Sequence, residues 1–285
     1  MNRIVLAVTG ILLTISGFAQ TDTTNNDQGD TIHVGNFVII KKNKGKSGND
    51  TFYNRDNINL GSNYYRRRHR SNISTNWFIF DLGFANWRDK TDYAAAAGNS
   101  YLQAAPGAPS FSSNDFSLRN SKSSNVNIWI FMQKLNLYRH IINLKYGLGL
   151  EMYNYRYETN ISYHKDPAYI FRDTISFSKN KLAADYATIP FMININPMPD
   201  RRRGLSFSVG MTAGYLYASR NKQISSERGK QKVKGDIGLE KWRTAYVAEV
   251  GLGPVRIYGS YSMNALHEQA LKQYPYVIGM RFSNW

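Results

Sequence analysis

The chain has 285 residues, no cysteine and a formal net charge of +16. Without cysteine, disulfides, thiol catalysis and Cys-ligated metals are excluded. The cationic excess points to anionic neighbours, either nucleic acid or phosphate-bearing lipid headgroups.

Residues 1–19 have the form of a secretory signal peptide. Arg3 supplies the positive start, Ile4–Phe18 a short apolar run, and Gly17-Phe18-Ala19 a small-residue cleavage site before Gln20. Export argues against nucleic acid as the partner and in favour of outer-membrane lipid and lipopolysaccharide. No later segment offers 18 consecutive apolar residues, so no helical membrane span is expected.

Residues 20–75 read as a polar, basic periplasmic leader. Within it Thr31–Ile40 predicts one short strand, followed by Lys41, Lys42, Lys44 and Lys46, then Arg66, Arg67, Arg68 and Arg70. Such a stretch reads as a disordered, solvated linker. The functional reading is a polybasic arm for a periplasmic partner or an anionic surface.

Residues 76–285 predict eight strands. The first, Trp77–Trp87, sets Phe78, Phe80, Leu82 and Phe84 on one face and Trp77, Asp81, Gly83 and Ala85 on the other. The second spans about 124–135, with Val126, Ile128, Ile130 and Met132 outward. In the third, about 141–158, Ile142, Leu144, Tyr146, Leu148, Leu150 and Met152 oppose Asn143, Lys145, Gly147, Gly149 and Glu151. The fourth, about 181–196, puts Ile189, Phe191, Ile193 and Ile195 outward. Its first half is apolar at the even positions Leu182, Ala184 and Tyr186, which suggests a bulge near Thr188–Pro190.

The fifth strand is the clearest. In Leu205–Tyr217 every odd position is apolar and the even positions are mostly small or polar. Period two over about thirteen residues exceeds the usual five or six of a soluble strand and covers the nine to eleven that a tilted transmembrane strand needs. The sixth (about 241–253), seventh (254–263) and eighth (about 274–283) repeat the pattern.

The connections alternate. Long loops at 88–123, 159–180 and 220–240 and a medium one at 264–273 follow the odd-numbered strands. Short turns at 137–140, 197–203 and Gly253-Pro254 follow the even-numbered ones. This is the arrangement of an outer-membrane barrel, with long loops outside and both termini periplasmic. A soluble β-sandwich does not predict it. A lipocalin-like barrel would put its large apolar residues inside, whereas here one face is Gly, Ala, Ser, Lys, Glu and Arg. The fold class expected is therefore all-β: an eight-stranded antiparallel up-and-down transmembrane β-barrel, monomeric in lipid. Tyr153, Tyr155, Tyr157, Tyr215, Tyr217, Tyr274 and Tyr276 fall near strand ends and would form aromatic girdles.

Several segments resemble the PorT-like porin family of outer-membrane β-barrels from Bacteroidetes-type bacteria. These are Phe80-Asp81-Leu82-Gly83-Phe84, Leu137–His140 leading into Leu144–Gly149, Ile189-Pro190-Phe191, and Tyr274–Gly279. The resemblance implies an outer-membrane location and eight strands, and carries no catalytic residue across. It also suggests a component of a protein secretion apparatus. The closing strand, with Tyr276, Ile278, Met280, Phe282 and Trp285, resembles the signal read by the barrel insertion machinery. A packed eight-stranded interior leaves no wide channel.

Asp81, Lys145, Glu151, Arg243, Glu249, Arg256 and Arg281 are assigned to the interior. Buried charges are costly unless paired, so a salt-bridge network plugging the lumen is expected, with a gated ion path as the alternative. Catalytic candidates are sparse. His267 and Glu268 near Ser262 are the one set that fits a lipid hydrolase. No histidine spacing suggests a metal, and no cofactor is implied. Arg220, Lys222, Arg228, Lys230, Lys232 and Lys234 crowd the 220–240 loop and would meet lipopolysaccharide phosphates. The expected function is non-enzymatic: structural, surface-interaction or assembly-accessory. The alternatives are the secretion component, a narrow pore or a lipid hydrolase.

Overall fold

The computed structural model describes residues 31–34, 37–40, 71–199 and 204–283. The expected signal peptide, most of the expected leader and Trp285 lie outside them. The chain divides into two units, residues 1–67 and 68–285.

In the first unit, β1 (Thr31–Val34) and β2 (Phe37–Ile40) pair antiparallel. The expectation of one strand over Thr31–Ile40 is thus corrected to two. Gly35-Asn36 separates them, and such a dipeptide between apolar runs is a hairpin signal.

The second unit is a closed eight-stranded barrel. Its staves are β3 (Ile73–Asp89), β5 (Ser124–Tyr138), β6 (Ile142–Arg156), β9 (Lys179–Ile195), β10 (Leu205–Ser225), β12 (Trp242–Leu252), β13 (Val255–Ser262) and β14 (Gln273–Phe282). Each stave pairs antiparallel with the next, and β14 closes on β3 through pairs such as Arg281 with Asp81. Closure satisfies the backbone of both edge strands.

The long connections are folded. Residues 90–123 hold the short helix α1 (Tyr93–Ala96) and β4 (Leu102–Gln103). Residues 157–178 hold the hairpin of β7 (Ile161–His164) and β8 (Tyr169–Arg172), and β4 pairs with β8. The 220–240 segment is not a loop as expected. β10 runs on to Ser225 and pairs with β11 (Gly229–Lys234).

Side-chain parity follows the expected faces along β6, β12, β13 and β14 and the first half of β10. Two assignments of face fail first. Trp77 faces out, 60% exposed, and Met132 faces in at 0%. The cause is a local irregularity: Phe78 takes φ +54 and the β5–β6 register slips between Trp129 and Phe131. A one-residue slip flips every later side chain, so Ile79, Trp129 and Met132 pack together inside.

The proposed bulge in β9 is absent. Even positions from Asn180 to Asn194 all point inward, and the bulge lies in β10, between Leu216 and Ala218. Leu182, Ala184 and Tyr186 are apolar because the interior itself becomes apolar toward the long-loop end. There Tyr153, Tyr155 and Tyr157, expected in a girdle, are buried. They join Trp87, Tyr186 and Tyr258 and the loop residues Tyr101, Phe116, Ile161, Ile237 and Leu266 in one core. Tyr215 and Tyr217 do face outward, and Trp242 meets Tyr215 edge-on at 5.0 Å.

Candidate functional site

The seven predicted interior charges all face the lumen, because each sits at an inward position of its stave. Small neighbours make room for them. Gly251 lies so close to Arg256 that a Cβ there would stand 2.5 Å from its Nη1.

Five of the seven form one cluster around Glu249. One oxygen of Glu249 accepts from Lys145 Nζ, from Ser208 Oγ at 2.8 Å and from Arg256 Nη1 at 3.2 Å. The other accepts from Arg281 Nη1 at 2.6 Å. Arg281 also grips Asp81 through Nε and Nη2, both at 2.8 Å, in the forked geometry that suits guanidinium and carboxylate. Asp81 and Arg281 are cross-strand partners where β3 meets β14, so barrel closure itself brings them together. Arg243 and Glu151 form a separate pair at 2.7 Å, with Arg243 Nε donating to Ser262 Oγ at 3.0 Å.

Four cations therefore meet three carboxylates, with the side chains of the ion pairs 0–5% exposed. Ions this deep are tolerated only when paired and hydrogen-bonded. Neutral groups complete the shell. Trp129 Nε1 and Asn127 Nδ2 donate to Asp81 Oδ2 at 2.7 and 3.1 Å, and Ser206 Oγ accepts from Arg256 Nη1 at 2.9 Å. The guanidinium of Arg281 lies 5.1 Å from the Trp129 ring and that of Arg243 4.7 Å from the Tyr153 ring, both within cation–π range. These neutral partners were missed in the sequence, although the inward parity of Asn127, Trp129, Ser206 and Ser208 is the signal that could have found them.

The hydrolase set does not assemble. His267 is buried under the loops and shares a 3.0 Å hydrogen bond between Nε2 and the Tyr163 hydroxyl, which in turn meets Tyr157 at 2.6 Å. Ser262 is engaged by Arg243. Burial lowers the His267 pKa to about 3, against a small opposing pull from Asp89. Among the described residues no cluster of three or more His, Asp or Glu could hold a metal.

The basic residues of 220–240 divide. Arg220 and Lys222 lie on β10, and Lys230, Lys232 and Lys234 on β11, paired across the ladder. Arg228 leaves the group to pair with Asp173 at 2.9 Å. Tyr276, Ile278, Met280 and Phe282 share the outward face of β14 as expected.

The chain matches no family model and no curated protein sequence.

Proposed function

We propose that this chain is an integral outer-membrane β-barrel whose lumen is closed by its salt-bridge network. Its role is structural, surface-interacting or assembly-accessory rather than catalytic. One observation carries the reading: the outer wall is apolar all the way round. Phe84 on β3, Ile189 and Phe191 on β9, Val209 on β10, Ile257 on β13 and Ile278 on β14 are more than half exposed. Soluble monomers rarely expose a contiguous apolar patch beyond a few hundred Å², and a barrel that hides its charges inside while showing its aliphatics outside suits lipid. Tyr215, Tyr217 and Trp242 at the upper margin support the same reading, since amphipathic rings favour the headgroup level. The N-terminal leader and the C-terminus are then periplasmic.

The test is cell fractionation followed by electrophoresis with and without boiling. Recovery in the outer membrane with a band that shifts on heating is expected. A soluble periplasmic protein with no shift refutes the proposal. The Phe80–Phe84 and Tyr274–Gly279 segments support a PorT-like affiliation and, with it, a docking role beside a secretion apparatus. Co-purification of a periplasmic partner in mild detergent tests that second reading.

A further inference from the structure

The outer face above the aromatic margin carries an unusual charge arrangement. In one register row, Arg156 of β6, Lys181 of β9, Lys222 of β10 and Lys232 of β11 stand side by side across four neighbouring strands. The next row toward the apolar wall holds Arg220 beside Lys234, and the next row away from the wall holds Lys179 and Lys230 on either side of Ile224. Neighbouring strands are about 4.8 Å apart and same-face residues along a strand about 6.7 Å apart, so eight cations occupy one small grid.

Like charges directly opposite one another destabilise a sheet. Among the described residues one carboxylate meets the grid: Arg220 pairs with Asp185 at 2.7 Å, while Lys181 donates to the amide oxygen of Asn154 and Arg156 to the carbonyl of Ser178, both at 2.6 Å. Lysines on an edge strand such as β11 can serve to repel other strands. That explanation does not reach Arg156, Lys181 and Lys222, which lie on staves paired on both sides.

A second feature adjoins the grid. β11 leaves β10 at Arg220, whereas β12 joins β10 only at Tyr215. The sheet parts between them, leaving an outward-facing cleft of about 730 Å³. Its lining includes Tyr215, Tyr217, Arg220, Lys232, Lys234 and Lys241. Asp236 also lines it and stands 3.7 Å from Lys241. Below the cleft the wall becomes apolar at Ala213, Met211 and Ile189.

We propose that this cleft and grid bind the headgroup of a phosphorylated glycolipid of the surrounding outer leaflet, with its phosphates on the lysines and its acyl chains along the wall of β9 and β10. The site rests on the membrane reading above. It goes further by naming the ligand chemistry and its place. Charge complementarity favours phosphate, and the position of the cleft, between the cationic grid and the apolar wall, favours an amphiphile over a free anion. Cations near an anionic lipid surface act roughly additively.

The test uses full-length mature barrel in detergent, first shown to be heat-modifiable. Native mass spectrometry then measures retention of bis-phosphorylated lipid A. The site variant is Lys222→Gln, Lys232→Gln, Lys234→Gln, and the control is Lys90→Gln, Lys122→Gln, Lys272→Gln, of equal charge change elsewhere on the surface. The site variant is expected to hold lipid A about a hundredfold more weakly, and the control to match the wild type. Equal losses in both variants, or none in the site variant, overturn the proposal while leaving a heat-modifiable barrel in place. Displacement of lipid A by millimolar inorganic phosphate would assign the site to a free anion and overturn it too. A wild-type protein that lacks heat modifiability refutes the membrane reading instead.

Discussion

Glu249 is the residue on which the interior network depends, and Glu249→Gln tests it with almost no change of shape. One carboxylate oxygen serves Lys145, Ser208 and Arg256, and the other serves Arg281. An amide has only one accepting oxygen. Whichever way the glutamine turns, its NH₂ faces at least one buried cation, and two carboxylates are left for the four cations of the lumen. Removing one partner of a buried ion pair costs about 3–5 kcal/mol. With a urea m-value of about 3 kcal/mol/M for a chain of this size, the unfolding midpoint falls by roughly 1 M or more. The assay is urea titration of the barrel refolded in micelles, read from the folded and unfolded electrophoretic bands. Adding Lys145→Met to Glu249→Gln removes a cation that has lost its carboxylate and recovers part of the loss, with a coupling of about 1 kcal/mol or more. A Glu249→Gln protein within 1 kcal/mol of wild type, or a strictly additive double variant, would show that the pairs contribute little and that packing alone closes the lumen.

Three further predictions follow from other parts of the molecule. Ile257 is 62% exposed on the outer wall, and Ile257→Arg lowers stability by about 2–4 kcal/mol in vesicles if the wall faces hydrocarbon; a change within about 0.5 kcal/mol, as at an ordinary wetted surface, counts against a membrane. Arg172 binds both oxygens of Asp115 at 2.6 and 2.8 Å and the carbonyls of Pro109 and Ser110 at 2.6 and 2.8 Å, with its guanidinium 4.4 Å from the Phe111 ring. Arg172→Ala therefore speeds proteolytic nicking within 90–123 by about tenfold or more, since charge-assisted bonds are worth about 1.5–3 kcal/mol, while the barrel band survives; equal nicking rates would mean the loop is held by its aromatic core instead. His267 is kept neutral by burial with its pKa lowered to about 3, against an ordinary 6.5. The unfolded loop end takes up a proton below 6.5 that the folded one refuses, so the stabilisation is complete above 6.5 and declines as pH falls toward 3, by up to about 1.4 kcal/mol per pH unit. Hydrogen-exchange protection factors around Tyr163, corrected for the pH dependence of intrinsic exchange, should fall as pH drops through that window, and the fall should vanish in His267→Gln; a flat wild-type protection profile contradicts the buried neutral imidazole.

Much of the barrel was legible because outward-facing and lumen-facing residues alternate with a fixed period. Wherever a stave is regular, as in Ile142–Met152 or Trp242–Leu252, parity alone separates Lys145, Glu151, Arg243 and Glu249 from their outward neighbours. The same rule failed at irregularities. Trp77 and Met132 exchange faces because Phe78 and the Trp129–Phe131 step break the phase. The local residue pattern does not mark that break, since Trp77-Phe78-Ile79-Phe80 and Ile128-Trp129-Ile130-Phe131-Met132 are apolar at every position. The rule also failed where its premise changed. Leu182, Ala184 and Tyr186, like Tyr153, Tyr155 and Tyr157, are apolar and inward, because above the charged layer the folded loops supply an apolar core.

By itself the sequence determined the number of staves, their order, the face carried by each regular stretch and the seven charges destined for the interior. These follow from period-two patterning and loop length, which are local properties of the chain. Only the tertiary structure decided which charges meet. Asp81 finds Arg281 because the last stave closes on the first, and Lys145 finds Glu249 across the lumen. It likewise decided that 220–240 is a hairpin whose lysines line up with Arg156 and Lys181. Register between strands distant in sequence depends on every intervening turn and bulge, so no local pattern can specify it.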